Sequence, residues 1–426
     1  AGFHSCAMPK PRTVAKPSKD IRAEIAVVGG GLSGLALAIA CAAAGIEVAV
    51  VDREDPAKFR SAAYDGRTTA IAYGSQQVLR GLGVWDMLGA HAQPIRAIRV
   101  ADGDSPLFLH YDRRDVDTEA LGYIVENRRL RSALQARAEA LPGLSLYAPS
   151  AVEAVEFAAA QARLTLADGR RIAAALVVGA DGRESAMRAA AGIKTRRKSY
   201  RQTAIVCVVR HEQPHRGIAV EHFRAAGPFA ILPMPTLAIG GNRSSIVWTE
   251  NEEAAPGLLA LDDKRFLEQL TSRFGDFLGA IAVEGGRWSY PLHLLQAERY
   301  AATRLALVGD AAHVIHPIAG QGWNLGVRDV AALAELIVDT HRIGLDLGSA
   351  ALLRRYERWR RLDSLTLTAV TDGLNRLFAN ELPPLKLARD LGLAAVNRAP
   401  GLKRFFMRHA MGVVGDLPRL VRGEAL

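Results

Sequence analysis

The residues best equipped for chemistry are three aspartates that close short apolar runs beside glycines. Asp52 follows Val48 to Val51, Asp181 follows Val177-Val178-Gly179-Ala180, and Asp310 follows Leu305 to Gly309. An acid at the end of a strand, where glycine lets the backbone come close, suits the hydroxyls of a ribose or a polyol. Ahead of Asp52 stands Gly29-Gly30-Gly31-Leu32-Ser33-Gly34, in which Gly29, Gly31 and Gly34 spell GxGxxG. The first glycine permits a tight turn, the second a close approach to a pyrophosphate, and the third tight packing of helix on strand. The helix that follows offers unpaired N–H groups and a partial positive charge to phosphates. GxGxxG alone also matches ordinary glycine turns, but here an apolar run precedes it and an Ala/Leu-rich segment follows. Asp52 then stands 18 residues beyond Gly34, and together these features specify dinucleotide binding.

The second half of the chain separates FAD from NAD. Gly309-Asp310 presents a carboxylate suited to the ribityl chain of FAD, with a capping Asp as the bland reading. Gly320 and Gly322 permit another close approach, and Asn324 lies just inside a helix that begins near Trp323. The N-terminal dipole of that helix would favour an anionic reduced isoalloxazine. Asp181, in Gly-Ala-Asp-Gly, reads either as a helix cap or as part of the same site. His316 and Pro317 are the catalytic candidates, while His313 reads better as a packed histidine behind the Gly-Asp turn. No metal site is expected among the 11 histidines. No Gly-Lys-Ser/Thr follows the glycines, and Ser33 and Ser185 lack a histidine–acid partner pattern, which argues against a phosphate-binding P-loop and a hydrolase.

These residues require strands and helices in alternation. Ile25–Val28, the glycine turn, Leu35–Ala44 and Val48–Val51 read as a strand–helix–strand unit. Residues 95–125, 144–179 and 201–250 alternate polar and apolar in short runs and read as antiparallel strands. Helical periodicity covers 262–280 and dominates from Trp323 onward. The expected fold class is α/β.

Composition bounds the rest. The 426 residues are 49% hydrophobic and 23% charged, which excludes a wholly disordered chain, and no stretch approaches 18 uncharged apolar residues. Cys6, Cys41 and Cys207 are far apart and form no CxxC, so a reducing compartment is expected. The net charge of +10 sits at the ends, with 27–350 balanced. No nucleic-acid module accompanies it, and an anionic membrane or acidic partner is the better match. Residues 1–20 read as a flexible leader without a secretory apolar region. Over 385–413, apolar and basic residues interleave at helical spacing around Pro400. Phe405, Phe406 and Met407 would dip into a leaflet, with Lys403, Arg404 and Arg408 at its surface. Packing on the body of the protein or on a partner subunit is the alternative.

Taken in order, the three glycine–aspartate elements resemble those of the class A flavin monooxygenases, which have the para-hydroxybenzoate hydroxylase-like fold. Asp65 to Ala72, Gly83-Val84-Trp85, Tyr123 to Asn127, Gly227 to Pro233, Gly309 to Gly326 and Gly415 to Gly423 resemble the ubiquinone-biosynthesis aromatic hydroxylases. The resemblance implies a Rossmann-like FAD-binding domain built from 21–94, 121–195 and 299–345. It further implies an inserted antiparallel-sheet substrate domain from 95–120 and 196–298, and a helical C-terminal region, 346–426. Gly29, Gly31, Gly34 and Asp52 would bind the ADP half of FAD, and Arg67 would lie near the pyrophosphate or ribityl. Asp181 would organise the backbone, Gly309 and Asp310 would hold the ribityl, and Gly320, Gly322 and Asn324 would edge the isoalloxazine. Phe223, Phe229, Ile231, Leu232 and Met234 would wall the substrate, with plain sheet core as the alternative for each.

The implied reaction is hydroxylation of a polyprenylated phenol with NADH or NADPH as transient reductant and O2 as co-substrate, through a flavin C4a-hydroperoxide. The expected location is cytoplasmic, peripheral on the inner face of the membrane, within reach of a ubiquinone-biosynthesis assembly. A different flavin oxidoreductase, such as a prenyl reductase, and a non-catalytic assembly subunit are the competing classes. Asp52 stands where this family more often has Glu. Trp323 replaces a smaller aliphatic residue, which implies a narrower space near the flavin.

Overall fold

The computed structural model describes residues 20–57, 66–103, 105, 107–236, 241–378 and 382–426. The expected leader lies outside the described residues, apart from Asp20. Seven principal helices organise the chain: α1 Leu32–Ala43, α2 Asn127–Glu139, α3 Asp263–Phe274, α4 Gln321–Arg342, α5 Ala350–Phe378, α6 Pro383–Arg398 and α7 Pro400–Ala410.

Val48–Val51 is buried at every position, as is the second half of Asp20–Val28. Strands apolar on both faces belong in the middle of a covered parallel sheet. The order across that sheet is Ala301–Ala302, Leu305–Leu307, Arg171–Gly179, Asp20–Val28, Val48–Val51, Leu144–Tyr147. Apart from the first pair, neighbouring strands run parallel. Here the expectation for 144–179 needs correction. Leu144–Tyr147 is a parallel edge strand, and Leu176 to Gly179 completes the parallel sheet, while Val152–Phe157 and Ala162–Leu166 form an antiparallel hairpin against its first half. Polar–apolar alternation reports a half-covered face and carries no information on strand direction. α1, rich in Ala, Leu and Ile, is buried from Gly34 to Ala42 and packs against α2 and α4.

The second sheet has eight strands, ordered His313–Val314, Ile281–Ala297, Thr195–His211, Asn242–Asn251, Gly227–Met234, Ile218–Arg224, Ala97–Asp102, Phe108–Asp112. Only Ile218–Arg224 with Ala97–Asp102 is parallel. Side chains alternate across it. Ile205, Cys207, Phe229, Ile231 and Trp248 pack on Phe266, Leu270 and Phe274 of α3. Val208, Ala219 and Met234 face the other way, onto Ile95 and Ile124 of a three-stranded sheet, Thr68–Ala72, Gly122–Glu126 and Gln93–Ile95.

The C-terminal helices cover the edge of the second sheet, which protects its unpaired backbone groups. Arg389 donates to Asp102 at 2.7 Å, the Asn397 amide oxygen accepts the His110 N–H at 3.1 Å, and Lys403 pairs with Asp115 at 2.7 Å. This corrects two expectations for α7. Met407 is buried against Leu121 and Met411, and Lys403 is held inward, so neither lies on an outer docking face. Leu402, Phe405 and Phe406 are exposed, as are Arg404 and Arg408.

Phe266 is fully buried, its ring 5.9 Å from that of Trp248, whereas Phe405 is 53% exposed. Phe266→Ala is expected to cost about 3–5 kcal/mol in urea unfolding, and Phe405→Ala less than about 0.5 kcal/mol. Equal costs would contradict the placement of α3 over the sheet.

Candidate functional site

The first turn is built on backbone contact. A Cβ added to Gly34 would lie 1.9 Å from the Gly29 oxygen, and one on Gly29, whose φ is +107°, would lie 2.3 Å from the Ala180 oxygen. Gly31 differs: a Cβ there meets no protein atom within 4 Å. It is the N-cap of α1, and no side chain caps the first-turn N–H groups. Asp52 accepts the Gly30 N–H at 2.5 Å and the Glu54 N–H at 2.8 Å. Arg131, on α2, lies 4.0 Å from Asp52 and 3.3 Å from Glu54. Burial lowers the Arg131 guanidinium from its ordinary value, with Glu54 and Asp52 opposing and Arg67 adding to the fall. Arg67 is exposed and thus stands at this acidic end of the cleft. Arg131 went unnoticed in the sequence because only the fold brings its helix to Asp52.

Asp181 is committed to local structure. Its carboxylate accepts the Ser185 hydroxyl at 2.5 Å and the Met187 N–H at 3.1 Å, at the start of the short helix Ala186–Ala190. Arg188 then donates to the oxygens of Arg183 and Ala311, both at 2.8 Å, which ties this loop to the Gly309–Asp310 turn.

At that turn, Gly309 has φ +59°, and Cβ atoms built on Gly309 and Gly326 would lie 2.9 and 3.2 Å from the Ser33 hydroxyl. The N-terminal turns of α1 and α4 therefore converge on Gly309. Asp310 is exposed on the cleft wall, with no hydrogen bond to its carboxylate among the described residues. Surrounding protein mass raises this carboxyl from its ordinary value, with His313 and Arg183 opposing the rise. Behind the turn, Asp329 is fully buried. It accepts the Gly309 N–H at 3.1 Å, His313 Nε2 at 2.5 Å and Arg360 Nε at 2.8 Å. His313 thus packs behind the turn. An acid within the apolar run of α4 was the one sequence signal for this cluster.

Gly320, at φ +62°, begins α4 without a side-chain cap, and Gly322 has open space where a Cβ would be. The Asn324 amide is fully used by backbone: it donates to Ala70 at 2.8 Å and Gly320 at 2.9 Å, and accepts the Ala72 N–H at 2.9 Å. It joins α4 to Thr68–Ala72 and does not extend into the cleft. Trp323 is half-buried and packs onto the core of the parallel-sheet domain.

Strand alternation divides the expected substrate wall. Phe229 and Ile231 belong to the sheet–α3 core, and Phe229 also lines a cavity together with Phe223. Leu232 and Met234 face Ala70 and Ile124. Phe223 stacks on Phe378 at 4.0 Å and packs with Ile318, beside Pro317. A cavity of about 820 Å³ is lined by this aromatic pair together with Arg224, Arg273 and Lys386. Pro317 is exposed and its oxygen accepts the Gly320 N–H at 2.9 Å. His316 is sealed, with no exposed surface. Gln202 donates its amide to the Ala226 oxygen at 2.8 Å, which turns its own oxygen toward His316 Nε2 at 3.2 Å and places the imidazole proton there. Burial pushes the imidazole down to about 4, with Asp372 opposing. A neutral, enclosed ring is not a base in contact with substrate, which corrects the catalytic assignment of His316. No cluster of metal ligands occurs among the described residues.

Two uncapped helix N-termini, two glycines open where a Cβ would fill the cleft, and a carboxylate free of protein donors fit a dinucleotide with a polyol, as FAD is. The architecture is that of the flavoprotein monooxygenases. It is shared with p-nitrophenol 4-monooxygenase PnpA from Pseudomonas putida, at a TM-score of 0.75 and 19% identity over 92% of this chain and 98% of that one. Residues 22–368 match the FAD binding domain family. The chain is 53% identical over 412 residues to ubiquinone hydroxylase UbiL of Rhodospirillum rubrum, covering 96% of this chain and 95% of that protein. It is 35% identical to 3-demethoxyubiquinol 3-hydroxylase of Escherichia coli, covering 92% and 98%. The chain belongs to the ubiquinone-biosynthesis aromatic hydroxylases, a family of FAD-dependent enzymes.

Asp310→Ala removes the carboxylate expected to accept cofactor hydroxyls while breaking no hydrogen bond to a described residue. The expected loss is about 1.5–3 kcal/mol of FAD affinity, a roughly 10- to 150-fold rise in Kd, read by quenching of FAD fluorescence. Unchanged affinity would remove Asp310 from the ribityl site.

Proposed function

We propose that this FAD-dependent hydroxylase acts on the ring of a polyprenylated phenol, with NADH or NADPH as transient reductant and O2 as co-substrate. The observation that carries this reading is the near full-length 53% identity to a ubiquinone hydroxylase, with Gly29, Gly31, Gly34, Gly309 and Asp310 all in place. FAD, when bound, supplies electron transfer and oxygen activation. The chain's own part is to bind, orient and exclude water. The open glycines and the first turns of α1 and α4 hold phosphates and ring, and Asp310 takes the ribityl hydroxyls. Asn324 keeps α4 against Thr68–Ala72.

The aromatic ring would lie between the 317–320 loop and the sheet face that carries Leu232 and Met234, with Phe223 and Ile318 at one end. Apolar walls keep water from the reacting centre and hold the ring in one orientation. A phenol is activated by its own oxygen, so no strong base is needed, and the sealed His316 agrees with that.

A polyprenyl substrate partitions into membranes, and among the described residues no helix is long and apolar enough to cross one. Leu402, Phe405 and Phe406, flanked by Arg404 and Arg408, suit docking on the anionic cytoplasmic leaflet. The competing use of this face is contact with a subunit of a biosynthetic assembly.

With a prenylphenol present, NADH or NADPH oxidation should accelerate, and labelled O2 should supply the new hydroxyl. Label arriving from water would contradict oxygenase chemistry, and H2O2 as the only oxygen product would indicate an oxidase. For docking, Arg404→Glu with Arg408→Glu should release the protein from anionic liposomes, since each basic group contributes about 1 kcal/mol at such a surface. Turnover of a soluble analogue should persist. Retention of the double variant on liposomes would favour the subunit interface.

A further inference from the structure

Asp329 is an acid within a core, and no part of the proposed reaction uses it directly. Its two oxygens take three donors from three parts of the chain. Oδ2 accepts the Gly309 N–H and His313 Nε2, and Oδ1 accepts Arg360 Nε. Arg360 lies on α5, 31 residues beyond Asp329, and is 2% exposed. Its other donor reaches Asp363 at 2.6 Å, and Asp363 also accepts Arg328 at 2.9 Å. The same stretch of α5 sends the Tyr356 hydroxyl to the Leu307 oxygen at 2.7 Å, while Glu357 accepts the Tyr300 N–H at 2.9 Å. α5 is therefore bonded directly to the strand that leads to Asp310, and through Asp329 to the turn that presents it.

We propose that Arg360 is a positioning residue of the cofactor site, acting through Asp329 on the Gly309–Asp310 turn. The physical reason lies in the charge on Asp329. A carboxylate in a core stays ionised only while cationic or strong donors surround it. Although burial raises its carboxyl, His313 and Arg360 hold it below the ordinary value. An ionised carboxylate can accept from Gly309 and His313 on one oxygen and from Arg360 on the other, whereas a protonated one turns an acceptor into a donor. Without Arg360, Oδ1 loses its charged partner and the group can take up a proton or rotate, and either change weakens the hold of Oδ2 on the Gly309 N–H. Gly309 adopts its left-handed conformation without steric cost, so the bond to Asp329 helps to fix the orientation of the turn. Asp310 is the next residue and moves with it. Tyr356 still ties Leu307 in place, so the strand persists while the turn loses its orientation.

This inference rests on the placement of the ribityl chain at Asp310, and the test separates the two. FAD Kd is measured by fluorescence quenching for wild type, Arg360→Met, Arg360→Lys, Asp329→Asn and the double variant Arg360→Met/Asp329→Asn. The visible spectrum of bound FAD and thermal unfolding of each apoprotein are recorded alongside. Phe266→Ala, destabilised far from the cleft, is the control for stability alone. A folded Arg360→Met should bind FAD at least tenfold more weakly with an altered flavin band shape. Arg360→Lys should recover most of both, and the double variant should lose no more than the worse single. Phe266→Ala should keep the wild-type Kd and spectrum. Should Arg360→Met fail to fold, Asp329→Asn and Arg360→Lys are read by the same criteria. Wild-type Kd and spectrum in the folded variants, additive losses in the double, or an equal loss in Phe266→Ala would overturn the proposal. Asp310→Ala distinguishes the premise: if it weakens FAD while the Arg360 variants do not, only the positioning role fails. If none of them affects FAD, the ribityl placement fails as well.

Discussion

Backbone must meet backbone where three loops converge, and the cofactor cleft depends on that contact. A Cβ on Gly34 would sit 1.9 Å from the Gly29 oxygen, and one on Gly326 would sit 3.1 Å from the Gly309 Cα. Side chains at these points would separate α1 from its strand and α4 from the Gly309 turn. With glycine there, two helix N-termini approach one region at the carboxyl ends of parallel strands, where their N–H groups and dipoles act together on an anionic ligand. The loop at Asp181 completes the junction, since Arg188 bridges it to Ala311.

The rest of the chain is arranged around this junction. The second sheet turns one face to α3, closing a core, and the other toward the small sheet that carries Ala70. Asn324 joins that small sheet to α4, so the two are held in register by one amide. The C-terminal helices close the outer edge through Asp102–Arg389 and Asp115–Lys403, and α5 reaches the Gly309 turn through Arg360 and Asp329.

Local spacing made the strand–turn–helix units legible. Gly29, Gly31, Gly34, Asp52, Gly309 and Asp310 lie within short strand–turn–helix units, so order and residue type carried their meaning. What sequence reasoning missed depends on distant parts of the chain. Arg131 reaches Asp52 from another helix, and Arg360 reaches Asp329 across a helix pair. Alternation in Gly227–Met234 implies that Phe229 and Met234 face opposite ways, but not which side holds the cleft; only α3 decides that. Amphipathic spacing likewise marked α7 as two-faced, yet Met407 and Lys403 were assigned outward until Leu121 and Asp115 supplied their partners. The Asn324 amide looked available because its three backbone partners come from two separate segments.

Gly31 gives the most direct test of the account. Its φ of −74° accepts any residue, and a Cβ there touches no protein atom within 4 Å, so Gly31→Ala should fold with apoprotein stability within about 1 kcal/mol of wild type. The added methyl would occupy the space through which the backbone meets the pyrophosphate. FAD affinity, titrated by fluorescence on that intact apoprotein, should fall by at least an order of magnitude. A folded Gly31→Ala protein that binds FAD as tightly as wild type would contradict the assignment of this cleft to the cofactor.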